Sequence, residues 1–227
     1  MGLKILGVSG SPIKNSNTDR AVKAVLDASE LETEFVKLSE INVRPCLACK
    51  ECVKDNICKV DDDFPALAKK VKEAQALVIG AYCPYAQIDG FTKAFLERLW
   101  SMRHEHNLNA GKYVVVIVNG IAVPKSYLFF KRARRVMTSR DEVLNAIARE
   151  MEMENMEVVG KIKIRGNVPC LTCGKGHFCK MSGARLYGSG VKISANLCIR
   201  VEDQPEVWEK IIGLGHKLRD LLSKQFI

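Results

Sequence analysis

The sequence predicts an α/β fold built on a five-stranded, doubly wound parallel sheet. Five short apolar or alternating runs alternate with segments of helical period. The run Tyr113 to Val118 is β-branched and apolar on both faces, as a central parallel strand is. The chain opens as strand, polar loop and helix, the unit from which such sheets are wound.

Taken in order, Leu3 to Val8 reads as a buried strand that meets the turn Ser9-Gly10-Ser11-Pro12. Asn17 and Thr18 are N-cap candidates for a helix on which Ala21, Val22, Val25 and Leu26 share a face. Thr33 to Leu38 alternates as a second strand, and a cysteine-rich segment, 43–60, follows it. Asp61 to Asp63 then offer caps for a helix with Pro65 in its first turn. Ala76 to Ala81 is the third strand, followed by a Tyr/Pro/Gly loop and a helix from about Thr92 to Met102. After the fourth strand and a basic stretch, Asp141 to Met153 forms a helix with Val143, Leu144, Ile147 and Met151 on one face. Val158 to Ile164 is the fifth strand, 166–190 a second Cys/Gly segment, and Pro205 to Ser223 a closing helix. Residues 1–165 read as the sheet domain, with 166–227 packing on it. Ligands of such sheets bind outside the carboxyl ends of the strands, where the loops after strands one to four form one rim.

The composition agrees. The 227 residues are 47% apolar and 27% charged, which excludes disordered, collagenous and coiled-coil chains and leaves enough apolar mass for a core without disulfides. No charged leader with a long apolar stretch opens the chain, Leu6 stands where a myristoylation signal needs Ser or Thr, and no run approaches the roughly 20 residues of a membrane span. The expected location is therefore the cytoplasm, with no membrane partner. There the nine cysteines point to metal binding or catalysis instead of disulfides. The net charge is +9, and Lys125, Lys131, Arg132, Arg134, Arg135 and Arg140 fall in one stretch without acids. That stretch reads either as a solvated helical face or as a docking patch for an acidic protein or anionic substrate. No motif supports nucleic acid, which is not expected as a partner.

The first loop, Ser9 to Thr18, has neither the dinucleotide fingerprint nor the G-x-x-x-x-G-K-[ST] phosphate loop. Its hydroxyl and amide side chains, with Ser9, Ser11, Pro12, Asn15, Asn17 and Thr18 at a helix N-terminus, suit a phosphate monoester or an ordinary capped turn. The loop Tyr82-Cys83-Pro84-Tyr85-Ala86-Gln87 sets two aromatics on the same rim, where a flat heteroaromatic ring fits; Asn119-Gly120 would form the third wall. Cys83 reads as a ligand contact or as a small buried residue. Cys46, Cys49, Cys52 and Cys58 form C-x2-C-x2-C-x5-C, close in logic to the ferredoxin run and unlike the separated pairs of structural zinc. A four-iron cluster is the leading reading, with zinc and a redox disulfide or inert thiols as rivals. Cys170, Cys173 and Cys179 suggest a second metal site, with Cys198 as fourth ligand and His177 or Cys83 as poorer ones. Iron–sulfur, zinc and a reactive cysteine pair all remain open there. His104, His106 and His216 read as surface residues.

With Gly10-Ser11-Pro12, Asn15-Ser16-Asn17-Thr18, the compact four-cysteine loop, and Tyr82 to Gly90 running into Phe91 to Arg98, the chain resembles the iron–sulfur flavoproteins of anaerobic archaea and bacteria. These lie within the flavodoxin-like superfamily of NADPH-dependent FMN reductases, and the resemblance spans about residues 1–120. It implies FMN held at Ser9, Ser11, Asn15, Asn17, Thr18, Tyr82, Pro84, Tyr85 and Gln87. It also implies a [4Fe–4S] cluster on the four early cysteines, and a homodimer or homotetramer in which a cluster can face a neighbour's flavin. The loop after the fourth strand departs from the pattern, lacking a glycine pair. The function so implied is an FMN-dependent oxidoreductase that passes electrons from a donor such as ferredoxin, through the cluster and FMN, to a small acceptor. A pure electron carrier and a zinc-bearing regulatory domain on the same scaffold are the alternatives.

Overall fold

The computed structural model describes residues 4–121, 131–184 and 192–224, with the backbone alone for 131–139. The elements run β1 (Ile5–Ser9), α1 (Asn17–Ser29), β2 (Thr33–Lys37), α2 (Phe64–Glu73), β3 (Ala76–Tyr82), α3 (Gly90–Leu99), β4 (Tyr113–Ile121), α4 (Lys131–Met153), β5 (Glu157–Gly166) and α5 (Pro205–Lys224). The sheet has five parallel strands in the order β2-β1-β3-β4-β5. The expected doubly wound, flavodoxin-like order is therefore present.

Alternation along each strand sends residues into two cores. Leu6, Val8, Leu77, Ile79, Val114, Val116 and Val118 pack under α2, α3 and α4, while Ile5, Ala76, Val78, Val115 and Ile117 pack under α1 and α5. Side chains on both faces are thus removed from water, which is why these strands read as continuous apolar runs. β5 carries one irregularity, between Val114 and Val115 of its partner, after which Gly160 faces α5. A Cβ there would stand 2.4 Å from Leu214 Cδ2, so helix and sheet approach too closely for a side chain.

Helix ends correct two expectations. The cap of α1 is Ser16, one residue before the expected Asn17: its hydroxyl accepts the Asp19 N–H at 3.1 Å while the Asp19 carboxylate accepts the Ser16 N–H at 3.1 Å. The helix α4 begins ten residues before the expected Asp141, at Lys131, so the basic stretch is its first three turns. Lys125 lies outside the described residues, as do the side chains of Lys131, Arg132, Arg134 and Arg135, so the expected docking patch lies outside them too. Arg140 leaves that patch. It is half-buried, donates to the Ile164 carbonyl at 3.1 Å, and lays its stem over Gly120. Among the described residues no helix is long and apolar enough to cross a membrane.

The helix α5 packs against α1 as well as β5, and Gly215 marks the closest point, where a Cβ would meet Ala28 Cβ and the Val25 carbonyl oxygen, each at 2.6 Å. Gly213, on the same helix, has open space. Gly215→Ala should therefore lower stability by about 1–3 kcal/mol through overpacking. Gly213→Ala should raise it by about 0.5–1 kcal/mol through helix propensity. Urea unfolding of the two variants beside the parent checks both signs.

Candidate functional site

The loop after β1 is organised around one buried carboxylate. Ser9 Oγ donates to Asp19 Oδ1 at 2.6 Å, and Lys37 Nζ, from the end of β2, donates to Asp19 Oδ2 at 2.7 Å and to the Ile13 carbonyl at 2.9 Å. Ser9, expected at a cofactor, thus serves the loop's own architecture. Its glycine is obligatory: a Cβ on Gly10 would stand 1.9 Å from Thr92 Oγ1. Loop one therefore closes directly on the start of α3.

The loop after β3 uses a second buried carboxylate, Asp89, which sequence reasoning did not single out. Asp89 Oδ1 accepts the Thr92 N–H at 2.8 Å, capping α3, while Oδ2 accepts from Tyr82 N at 2.9 Å and Thr92 Oγ1 at 2.7 Å. Burial pushes its pKa up against these three hydrogen bonds. The available signal was an Asp immediately before the Gly90 to Arg98 helical run, the ordinary cap position.

Between these loops lies a cleft of about 320 Å³, lined by Ser11, Asn15, Ser16, Asn17 and Arg20, by Tyr82 and Asn119 at the ends of β3 and β4, and by residues from 167–172 and 198–200. Its size and place outside the carboxyl ends of the strands suit a small-molecule site. The sequence expectations Ser11, Asn15, Asn17, Tyr82 and Asn119 meet there. Asn17 also draws the C-terminal segment over the cleft, since its amide donates to the Ile199 carbonyl at 2.9 Å and its oxygen accepts the Val201 N–H at 3.1 Å. Thr18 Oγ1 and Asn119 Oδ1 are both buried without a hydrogen-bond partner. Such orphans are rare in a finished interior and suit a bound polar ligand.

Other expected residues stand elsewhere. Cys83 is buried in the core beneath α2, α3 and α4, and Gly120 backs onto Arg140. Pro12, Gln87, the fully exposed Tyr85 and the wholly buried Thr18 do not line the cleft, nor does the half-buried Pro84. Tyr85 sits at φ 49 in a helical turn, Pro84–Ala86, that holds its ring in solvent. Sequence showed two tyrosines near a proline; it did not show that one points away.

The four early cysteines lie on a loop that descends from the rim along α3. Its root is the ion pair of Asp62 and Arg98, both wholly shielded from solvent, in which Arg98 Nη1 and Nη2 reach Asp62 Oδ2 and Oδ1 at 2.6 and 3.0 Å. The same guanidinium lies over the Phe64 ring at 4.5 Å and donates to the Arg44 carbonyl at 2.9 Å. Burial drives the Asp62 pKa up, but Arg98 and the N–H groups of Arg44 and Phe64 outweigh it and hold the carboxyl below its ordinary range. Cys52 is buried, with Sγ 3.5 Å from His104 Nε2, and Trp100 meets the His104 ring edge-on at 4.2 Å. This half-buried His104 replaces the surface residue expected from sequence. Burial first, and then Cys58, Cys49 and Cys46, push the Cys52 thiol up, so the other three lie within electrostatic reach of Cys52. Cys46 and Cys58 are partly shielded and Cys49 is exposed. Among the described residues no three or more Cys, His, Asp or Glu converge tightly enough to enclose a metal ion as they stand.

The sequence model of the NADPH-dependent FMN reductases matches residues 3–125. The chain belongs to the NADPH-dependent FMN reductase family. An iron–sulfur flavoprotein of Methanocaldococcus jannaschii is 31% identical over 104 residues, which is 44% of this chain and 54% of that protein. An iron–sulfur flavoprotein of Methanosarcina thermophila is 30% identical over 107 residues, 46% of this chain and 56% of its own. The chain thus spans a little over half the length of the curated relatives it matches. Among solved structures, the NAD(P)H:quinone oxidoreductase from Methanothermobacter marburgensis superposes with a TM-score of 0.60 at 12% identity, covering 96% of this chain and 98% of that one, a likeness of fold.

Three variants test these supports. Arg98→Met leaves Asp62 buried and unpaired and should cost about 3–5 kcal/mol in urea unfolding. Because the folded Asp62 pKa is depressed, its contribution is present above the unfolded value of about 3.9 and fades as pH falls through the lower folded value. Asp62→Asn should therefore flatten the acid limb of the stability curve below about pH 4. Asp89→Ala should cost about 1–3 kcal/mol, because Tyr82 N and Thr92 N lose their acceptor.

Proposed function

We propose that the protein is an FMN-dependent oxidoreductase of iron–sulfur flavoprotein type, with the flavin in the cleft between the loops after β1, β3 and β4. The observation that carries this reading is the cleft itself: a polar loop at a helix N-terminus, one aromatic wall and the orphaned oxygen of Asn119, in a chain of the FMN reductase family. The first turn of α1 offers backbone N–H groups and the positive end of a helix dipole to a phosphate. Ser11 and Asn15 flank it, and the Thr18 hydroxyl supplies a donor that the protein leaves unused. Tyr82 lies where a ring would rest, and burial pushes its phenol pKa above the ordinary value. FMN, when bound, accepts and releases electrons singly or in pairs.

Cys46, Cys49, Cys52 and Cys58 would hold a [4Fe–4S] cluster, a donor set of soft thiolates on one loop that suits iron–sulfur chemistry. The names of the relatives support the same assignment. Arg98, at the root of that loop and in contact with Cys58, supplies positive charge beside the thiolates. The donor would be a ferredoxin-like one-electron carrier and the acceptor a small molecule, in a cytoplasmic homodimer or homotetramer. Leu47, Val53 and Ile57 are exposed around the cysteines, an apolar surface that suits contact with another protein.

Anaerobically purified protein should carry FMN near one per chain together with iron and sulfide; colourless protein without flavin overturns the reading. Cys52→Ala should remove about four irons and leave the flavin. Thr18→Val is isosteric and removes a hydroxyl with no partner in the protein, so the unfolding midpoint without ligand should stay unchanged. FMN should bind about tenfold or more weakly by fluorescence titration, the loss of one hydrogen bond to a charged group. Unchanged FMN affinity would remove Thr18 from the site.

A further inference from the structure

The segment after β5 repeats the cysteine loop after β2. Pro45-Cys46-Leu47-Ala48-Cys49 returns as Pro169-Cys170-Leu171-Thr172-Cys173, and Ile57-Cys58-Lys59 returns as Phe178-Cys179-Lys180. The backbones agree at one position and differ at another: the residue after the second cysteine is left-handed in both loops, Lys50 at φ 64 and Gly174 at φ 75, whereas the residue before it is left-handed at Ala48, φ 52, and not at Thr172, φ −122. Backbone amides also reach cysteine sulfurs in both loops, at different positions. Ala48 N donates to Cys46 Sγ at 3.4 Å, and in the second loop Lys175 N donates to Cys173 Sγ at 3.4 Å and Gly183 N to Cys170 Sγ at 3.3 Å. Amide donors aimed at sulfur favour the thiolate and are the usual outer contacts of thiolate-held clusters.

The stretch between Cys173 and Cys179 is shorter than that between Cys49 and Cys58 and carries no counterpart of Cys52. Cys198 lies on the same side: it and Cys170 pack against the same small cluster of Val168, Leu171 and Ala184. Cys173 and Cys179 are exposed, unlike inert structural thiols, which are buried. From Val158 to Val201 the chain has no Asp or Glu, while Lys175, Lys180, Lys192 and Arg200 lie among the cysteines. An anionic centre built from four thiolates gains from that surplus of positive charge.

The two loops differ in where they sit. The first descends toward His104, away from the cleft, whereas Pro169, Thr172 and Cys198 of the second are part of the cleft wall. Two asparagines hold that wall in place. Asn17 grips the backbone of Ile199 and Val201, and Asn167 donates to the Ile199 carbonyl at 2.9 Å while accepting its N–H at 2.8 Å.

We propose that Cys170, Cys173, Cys179 and Cys198 hold a second iron–sulfur centre, seated in the wall of the same chain's candidate flavin cleft. Its position beside a flavin rests on the function proposed above; its ligand set does not.

The test is reconstitution of the full chain with ferrous iron and sulfide under anaerobic conditions, followed by desalting and assay of iron, acid-labile sulfide, zinc and FMN. The parent should hold about eight irons if both centres are four-iron clusters. Cys170→Ser/Cys173→Ser should lose about half of them, and Cys49→Ser/Cys58→Ser should lose the other half. If the double variant fails to fold, Cys179→Ala at an exposed position is the substitute, with circular dichroism confirming an intact fold. A parent with about four irons, all lost with the first loop, overturns the proposal. So does zinc in place of iron on the second loop. Iron on the second loop without any bound FMN would uphold the centre and sink the flavin reading, so the two fail separately.

Discussion

The buried carboxylate of Asp19 is the constraint on which the rim depends. It receives Ser9 Oγ from the end of β1, Ser16 N from the start of α1 and Lys37 Nζ from the end of β2, so three elements and the loop between them share one anchor. A carboxylate this far from water is tolerated because a buried ammonium and two further donors compensate it. Most polar groups of residues 11–20 serve the loop itself or the C-terminal segment, and the Thr18 hydroxyl alone of its buried side chains is left without a partner. Asp89 plays the same part across the cleft, and Gly10 lets the two halves touch. The cleft walls are thus fixed from behind, by carboxylates that face away from it.

The sheet was legible in the sequence because burial on both faces forces near-continuous apolar runs, and all five strands lie where those runs lie. Helix ends were less legible. Asn17 and Ser16 both carry capping side chains, and only the reciprocal bond with Asp19 decides between them. The early start of α4 was hidden because a basic stretch without apolar period gives no signal of its helix, although Lys and Arg are good helix formers. Arg140 was misread for a related reason: a long side chain can bury its stem and direct its donors to a strand end, which composition does not reveal.

At the site, residue type was a good guide to location and a poor guide to role. Ser9, Ser11, Asn15, Asn17 and Thr18 all belong to the first loop, yet Ser9 is turned onto Asp19 and Asn17 grips a segment 182 residues away. Contacts at that separation leave no local trace, so the share of 167–172 and 198–200 in the cleft wall could not be read from the chain. The four early cysteines were the reverse case. Spacing alone placed them on one loop, but their direction away from the rim follows from Asp62 and Arg98, which no motif marks.

That direction separates the two cysteine segments. The first cysteine loop lies beside exposed Leu47, Val53 and Ile57 and packs Cys52 on His104, and none of its residues lines the cleft. The wall formed by 167–172 and 198–200 has the opposite relation to the cleft: it lines the cleft and is held there by Asn17, a residue of the loop after β1. The segment 199–201 and the start of α1 are thus tied through one side chain, although the sequence sets them at opposite ends of the chain.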